Sequence, residues 1–455
     1  MPPPPTLPKE HPAQVLKEPS WRPKLPLLTT LRLASCGLST LPPGIGLCRN
    51  ITELSLSDNP LETLPKELAR CTRLTTIFVS GSDKLVAVPA VLGTMPGVTR
   101  LGLKNNRLAV VAAECVPPNV QHLILTHNRI RSLDVAVFER LRHCRKLMLA
   151  NNELEALPGA GVAQLQSLEL IRLANNRLTS LPTELLQLPK LAWLAISGNP
   201  LTPPPPAAVV PEVHGSTVAL DESALLGRGA SGVVHAAVFH NSAVAVKRFS
   251  HLSSDGRAED EIQLYAAVRH PGLVNVQAVV KDPSLAVVME LLPPSMVDLA
   301  APPTIVEVIE DRYQPGQSFS PATVCAVLHT VASALAYLHS RCIAHGDVYA
   351  HNVLVDGNAT PPRVKLVDFG AAFPYGNAAA SAGIVAARVE RIEVRAWGVL
   401  AAELAVRVEG SVELRTAIGK LAAACDVPDV LARPTFAEVV AAMAAITAHA
   451  GVLLV

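Results

Sequence analysis

Through the first two hundred residues, apolar positions recur in short pairs separated by one variable residue. The pairs are Leu31/Leu33, Leu54/Leu56, Ile77/Val79, Leu101/Leu103, Leu123/Leu125, Leu147/Leu149, Ile171/Leu173 and Leu194/Ile196, with starts 22 to 24 residues apart. Three residues past the second member stands Asn59, Asn106, Asn128, Asn152, Asn176 or Asn199, and Cys36 fills that slot in the first unit. Leu-Pro often follows, as at Leu41-Pro42, Leu64-Pro65, Leu157-Pro158 and Leu181-Pro182. This period predicts short parallel strands stacked so that each buries its apolar pair in a core shared with the adjacent turns. An Asn where the chain leaves the strand can both donate to and accept from backbone groups that would otherwise be unpaired. In the third unit Ser80-Gly81-Ser82-Asp83-Lys84 carries one extra residue, which predicts a bulge.

The pattern resembles leucine-rich repeats, about eight of them, and the resemblance implies an α/β solenoid. Its concave face would carry Arg32, Ser55, Phe78, Gly102, Ile124, Met148, Arg172 and Ala195. That face is mixed and carries few charges, which suits a protein or peptide ligand and not nucleic acid.

The second half has a different rhythm. Val244-Ala245-Val246-Lys247 and Leu285 to Met289 are strand signals, the latter running into Glu290-Leu291-Leu292. Glu261, Ile262, Tyr265 and Val268 fall on a helix face that His270-Pro271 stops, and Ala334 to His339 closes a second helical pattern. Phe436 to Val455 is rich in Ala and Val but interrupted by Glu438 and His449, so it reads as a core helix and not an anchor.

Chemistry is concentrated on these elements. The loop Gly227-Arg228-Gly229-Ala230-Ser231-Gly232-Val233-Val234 precedes Lys247; His345-Gly346-Asp347, Asn352 and Asp368-Phe369-Gly370 follow in order. Singly each is a turn, a strand end or a solvated polar residue; together they point to ATP-dependent phosphoryl transfer. That reaction needs a triphosphate held still, its charge neutralised and a hydroxyl aimed at phosphorus. Glycines let backbone amides approach phosphates, and Asp368 and Asn352 offer oxygen ligands suited to Mg²⁺.

Residues 218–450 resemble the eukaryotic-type protein kinase family, which implies an α+β bilobal fold after the solenoid. The resemblance carries Lys247 onto the α/β-phosphates with Glu261, preferred to Glu259, holding its ammonium. Asp347 becomes the residue that accepts or orients the substrate hydroxyl, with Asn352 beside it and Asn352 and Asp368 on Mg²⁺. Gly227, Gly229, Gly232, Val234, Ala245, Glu290 and Leu292 become ATP-contacting positions, the last two in the adenine hinge. Arg433, in Arg433-Pro434-Thr435-Phe436, sits where the family has a late structural Arg, and Glu390 is its candidate partner.

Departures from the family are equally specific. Gly346 replaces the Arg that pairs with an activation-loop phosphate, so activation gated by phosphorylation loses its receptor. Tyr349 and His351 stand where serine/threonine and tyrosine kinases respectively place a cation on the γ-phosphate. Glu393 replaces the Asp ahead of Ala396-Trp397-Gly398. Between Ala371 and Arg391 the only hydroxyls are Tyr375 and Ser381, and the segments flanking Trp397 are brief, which predicts a shortened C-lobe.

Length and composition complete the reading. The 455 residues allow two or three domains: a Pro-rich mobile N-terminus at 1–23, repeats at 24–201, a Pro-rich linker at 202–213 and the kinase domain at 214–455. A net charge of +1 argues against electrostatic targeting to nucleic acid or membrane. Eight scattered cysteines without a C-x-x-C pair suit buried thiols in a reducing compartment. No run of about twenty apolar residues reads as a membrane span, which predicts a cytoplasmic protein without one. The combined expectation is a soluble serine/threonine protein kinase in intracellular signalling, using ATP and Mg²⁺ on a protein substrate, with the repeats as a recognition arm. The alternative is a pseudokinase scaffold that binds nucleotide and partner proteins without phosphotransfer.

Overall fold

A computed structural model describes residues 12–229, 231–250, 256–282, 284–304, 307, 310–376 and 382–452. The chain divides into two compact units, 1–188 and 189–455. Ala230 of the glycine loop, Ser381 and the first eleven residues of the Pro-rich start lie outside the described residues.

The first unit stacks seven three-residue parallel strands: β1 (Thr30–Arg32), β2 (Glu53–Ser55), β3 (Thr76–Phe78), β4 (Arg100–Gly102), β5 (His122–Ile124), β6 (Lys146–Met148) and β7 (Leu170–Arg172). Each pairs in register with the next, Leu31 opposite Leu54, Leu54 opposite Ile77 and so on to Leu147 opposite Ile171. The return segments are mostly single 3-10 turns, with short helices α1 (Val135–Arg140) and α2 (Gly159–Val162). Both residues of every apolar pair in this unit are buried.

Buried asparagines stitch the turns together. Asn59 Oδ1 accepts from Cys36 and Leu38 N–H at 3.0 and 2.9 Å, while its Nδ2 donates to Leu33 and Leu56 O. Asn106, Asn128, Asn152 and Asn176 repeat the pattern one turn further along each time. Each side chain thereby satisfies backbone groups of two turns at once. In the third unit the extra residue puts Ser82 N–H on Asn106 Oδ1 at 2.7 Å and Gly81 at φ +72°.

Residues 12–23, expected as part of a mobile tail, instead include two 3-10 turns with Ala13, Val15 and Leu16 buried. A β-carbon at Gly44 would collide with Leu16 O, so this segment lies against the first return turn. A polar-faced cap of this kind closes the open end of a solenoid core.

The second unit opens on β8 (Trp193–Ala195), the eighth apolar pair, and then β9 (Glu212–Val213). The antiparallel strands β10 (Val218–Gly229), β11 (Gly232–Phe239), β12 (Ser242–Phe249), β13 (Val276–Val280) and β14 (Ala286–Glu290) follow, with helix α3 (Ala258–Ala267) between β12 and β13. They form one sheet in the order β10-β11-β12-β14-β13-β9. The segment expected as a Pro-rich linker therefore contributes an edge strand, and Val209 N–H also bonds Ala266 O at 2.8 Å at the end of α3.

The helical lobe contains β15 (Val297–Asp298), α4 (Pro321–Ser340), β16 (Ile343–Ala344), β17 (Val353–Asp356), β18 (Arg363–Leu366), β19 (Phe373–Pro374), α5 (Ala382–Ala405), α6 (Val412–Cys425) and α7 (Phe436–His449). Helix α4 starts at Pro321 under a Ser320 cap, and α7 starts with a Thr435–Glu438 capping box. Trp397 of α5 is fully buried and donates to Leu328 O of α4 at 3.1 Å. The eight cysteines are free thiols; Cys342 is exposed, Cys36 half-buried and the other six buried.

Candidate active site

The β10–β11 hairpin carries the glycine loop, with Gly229 opposite Gly232. At Gly227 and Gly229 a β-carbon would meet nothing within 4 Å, so these positions border open space. At Gly232 it would collide with Arg248 O of β12, so only glycine lets the hairpin close here. Val234 pairs with both Gly227 and Lys247, and buried Ala245 lies two residues before Lys247 on the same strand.

Lys247 projects from β12 to α3, where Glu261 Oε1 lies 2.5 Å from its Nζ; both residues are buried. Glu259, on the same first turn, is exposed. Asp368 Oδ1 is 3.9 Å from Lys247 Nζ, and the Phe249 and Tyr265 rings flank the ammonium at 5.0 and 5.7 Å. Burial works to neutralise Lys247, but Tyr265, Glu261 and Asp368 outweigh it and raise its pKa, so the side chain is a fixed cation.

The turn at Asp368 is left-handed, φ +66°, and its carboxylate accepts from Gly370 N–H at 3.0 Å. Phe369 is buried between Tyr265, 4.7 Å between ring centres, and the edge of His345 at 5.2 Å. Tyr265 OH also accepts from Phe369 N–H at 3.3 Å, tying this turn to α3.

Asn352 Nδ2 donates to Asp347 O at 2.8 Å and to its Oδ2 at 3.0 Å, which ties the two side chains together. Behind this loop Glu393 is buried on α5. Its two oxygens accept from His345 N–H at 3.1 Å, Gly346 N–H at 2.6 Å and His339 Nε2 at 2.7 Å. Burial raises the Glu393 carboxyl, yet the His339 hydrogen bond, the His339 and His345 charges and the Gly346 N–H together bring it below its ordinary value. Glu393 thus keeps a carboxylate clamped on the His345–Gly346 backbone.

His351 is pinned by Asp311, whose Oδ1 lies 2.6 Å from His351 Nδ1 and whose Oδ2 accepts from Ala350 N–H. Burial lowers the His351 pKa, but the Asp311 bond and charge, with Asp347 and Asp368 beyond, raise it overall. Asp311 stands in an irregular segment with no motif around it, so no sequence signal marked it. Glu290, expected in an adenine hinge, turns its carboxylate to Lys365 Nζ at 2.6 Å and Asn275 N–H at 2.8 Å. Leu292, two residues on, is half-buried.

Two pairings differ from expectation. Arg433, fully buried, does not meet Glu390; its guanidinium donates to Val427, Arg391 and Pro189 carbonyls at 3.0, 3.2 and 2.6 Å. Glu390 instead takes Phe436 N–H at 2.8 Å and Arg391 at 3.0 Å. Three carbonyl acceptors satisfy the guanidinium, and burial lowers the Arg433 pKa to about 10. Tyr375 is not a loop hydroxyl open to modification: it is buried, with its OH 2.5 Å from His339 Nδ1.

Residues 220–388 match the protein kinase domain family, and residues 118–178 and 142–201, with 50–71, match leucine-rich repeat families. Among curated proteins, the chain is 32% identical over 169 residues to the L-type lectin-domain containing receptor kinase VIII.1 of Arabidopsis thaliana, covering 35% of this chain and 22% of that protein. It is 31% identical over 153 residues to the serine/threonine-protein kinase dkf-2 of Caenorhabditis briggsae, covering 32% of this chain and 12% of that one. The chain thus spans about a fifth or less of these relatives. A solved leucine-rich-repeat protein of Leptospira interrogans aligns at 31% identity and TM-score 0.36, covering 38% of this chain and 45% of that one.

The cytoplasmic placement expected from the sequence is overturned, because the L-type lectin-domain relatives are receptor kinases. Helix α4 is long and apolar enough, by length and composition, to cross a membrane, although 61% of that stretch is buried within the protein. The chain carries a leucine-rich-repeat region followed by a protein kinase domain, the make-up of a leucine-rich-repeat protein kinase.

Proposed function

We propose that the chain is an active kinase that transfers the γ-phosphate of ATP, with Mg²⁺, to serine or threonine hydroxyls of a protein. The observation carrying this reading is the closed Lys247–Glu261 pair at 2.5 Å with Asp368 3.9 Å away, beside an Asp347 held by Asn352. The serine/threonine kinases among the relatives support the acceptor class. The repeats would supply a surface for a protein or peptide, with Arg32, Ser55, Phe78, Ile124 and Met148 at least partly exposed on it.

The residues present fit nucleotide and metal. Gly227 and Gly229 border open space where phosphate oxygens can approach backbone amides. Among the described residues no cluster of three His, Cys, Asp or Glu could hold a metal alone. Mg²⁺ would therefore be shared between Asp368, Asn352 and phosphate oxygens, the usual habit of an ion that keeps few protein ligands. When bound, Mg²⁺-ATP supplies the phosphoryl group and much of its charge neutralisation. Lys247 would hold the α/β-phosphates, Glu261 would fix Lys247, and Asp347 would take or orient the hydroxyl proton.

One observation favours the scaffold alternative: Tyr349 and His351 leave no Lys or Arg at either position where the family places one on the γ-phosphate, and the Tyr349 ring is buried. Incubating the full chain with Mg²⁺, labelled ATP and a generic protein substrate separates the readings. Label on Ser or Thr that disappears in Lys247→Met supports the kinase. Mg²⁺-dependent nucleotide binding without any transfer establishes the scaffold.

A further inference from the structure

The departures at Gly346 and Tyr349 meet at one place in the second unit, the short strand β8 and the residues just after it. The Trp193 indole stacks on the Tyr349 ring, centroids 4.5 Å apart and planes within 10°. Its Nε1 donates to Val348 O at 3.0 Å. Trp193 is fully buried and Tyr349 nearly so. Thus the side chain two residues past Asp347 faces away from solvent and is gripped by ring contact, and the carbonyl next to Asp347 is held by a hydrogen bond.

Gly346 is held from the same side. Its φ of +74° suits glycine, and a β-carbon there would lie 2.8 Å from Leu194 O and 2.5 Å from Ala371 O. The room an Arg side chain would need at this position is filled by the β8 backbone and by the residue following Asp368-Phe369-Gly370. Further along, a β-carbon at Gly256, just ahead of α3, would lie 2.6 Å from Ser197 Oγ and 2.8 Å from Gly370 O. Trp193 to Ser197 therefore touch or adjoin the catalytic loop, the metal-binding turn and the approach to the helix that carries Glu261.

We propose that Trp193 to Ser197 form a built-in positioning strand for the kinase site, taking over in cis the bracing of the catalytic loop that an Arg–phosphate pair supplies in other kinases. Trp193 is its principal positioning residue. A rigid, fully buried ring pair and a backbone carbonyl bond fix the loop with little side-chain entropy left to lose on substrate binding. The inference rests on the kinase reading above for its effect on turnover, but its structural claim stands apart from it.

The test uses the full chain with Trp193→Phe, which keeps a ring and loses the N–H, and Trp193→Ala, which loses both. Turnover per folded molecule should fall by about 10- to 100-fold in Trp193→Ala and less in Trp193→Phe, with the KM for ATP within about threefold of wild type. Amide hydrogen exchange should rise in the segment 343–356 while β12 keeps its protection. If Trp193→Ala does not fold, Trp193→Phe carries the same test. Wild-type turnover and unchanged exchange in a folded variant overturn the proposal, as does a loss that only tracks the folded fraction. Should wild type itself transfer no phosphate, the kinase reading fails, and hydrogen exchange alone decides whether the strand braces the loop.

Discussion

Cutting the chain at residue 214, where the sequence places the start of the kinase domain, should remove part of that domain. The fragment 214–455 loses Pro189, whose carbonyl takes a hydrogen bond from fully buried Arg433, and Lys190, whose carbonyl takes one from Arg395 at 2.7 Å. It loses Trp193 from the Tyr349 face, strand β9 from the sheet edge and the Val209 bond to Ala266. Removing a buried Trp side chain costs about 3–5 kcal/mol. Leaving the Arg433 guanidinium short of one carbonyl costs about 1.5–3 kcal/mol, since hydrogen bonds to charged groups are the stronger class. The sum, on the order of 5–8 kcal/mol, compares with a total stability of about 5–15 kcal/mol for an ordinary domain.

The fragment 214–455 should therefore be insoluble or lack a cooperative transition, whereas 189–455 should unfold cooperatively. Urea melts followed by circular dichroism, on both fragments and the full chain, measure this directly. The reasoning is refuted if 214–455 melts with the same midpoint and slope as 189–455. The slope matters, because a changed slope reports a changed surface exposed on unfolding and not simply a changed stability.

Asp347→Asn should lower turnover by a factor of about 10² to 10⁴, measured at saturating ATP. Its Mg²⁺-ATP stabilisation, near 2.7 kcal/mol at one hundred times Kd, should survive. Full activity in a folded Asp347→Asn protein would remove Asp347 from its role. Glu403 gives a pH signature: burial first, then the Asp311 charge, raise its folded pKa to about 8, while the unfolded value is ordinary. A raised acid contributes stability at low pH that is lost as the unfolded carboxyl ionises, so stability should decline between about pH 4.5 and 8 and Glu403→Gln should flatten that decline in urea melts. Phosphate-free protein, verified by mass spectrometry, should match the activity of protein preincubated with ATP, because Gly346 offers no phosphate receptor and Tyr375 is engaged with His339. A lag removed by Ser381→Ala would contradict it.

What the sequence made legible follows from how local each signal is. The repeat period is written in side chains that recur every 22 to 24 residues, so both the strand register and the Asn ladder could be read. The choice of Glu261 over Glu259 could be read because the helix face around it was apolar; in the structure Glu261 alone of the two turns inward. What remained hidden is what main-chain atoms do. Arg433 finds Pro189 O, Trp193 finds Val348 O and Gly346 meets Leu194 O, and a carbonyl carries no residue-specific mark in a sequence. Asp311 was missed for a related reason: its His351 contact joins an irregular segment to the catalytic loop 40 residues away. The Pro-rich run at 203–206 suggested a spacer, but prolines limit backbone donors without forbidding the edge-strand pairing that follows at Glu212–Val213.

Two of the substitutions that first look like losses in the kinase pattern, Gly346 and Tyr349, share one physical cause. An Arg at 346 would require a side chain where Leu194 O and Ala371 O already stand, and its φ would be strained. A Lys at 349 would put an ammonium against the Trp193 face with its neighbouring carbonyl already bonded, trading a flat ring stack for a flexible cation. The late structural Arg keeps its place but turns to Pro189 O. Gly346 and Tyr349 thus make room for, or contact with, residues 193–194, while His351 and Glu393 answer to Asp311 and to the His345–Gly346 backbone. Both Gly346 and Tyr349 answer to one strand, and Trp193 is the position outside the glycine-loop, Lys247, Asp347 and Asp368 motifs where a substitution should lower turnover while sparing nucleotide binding.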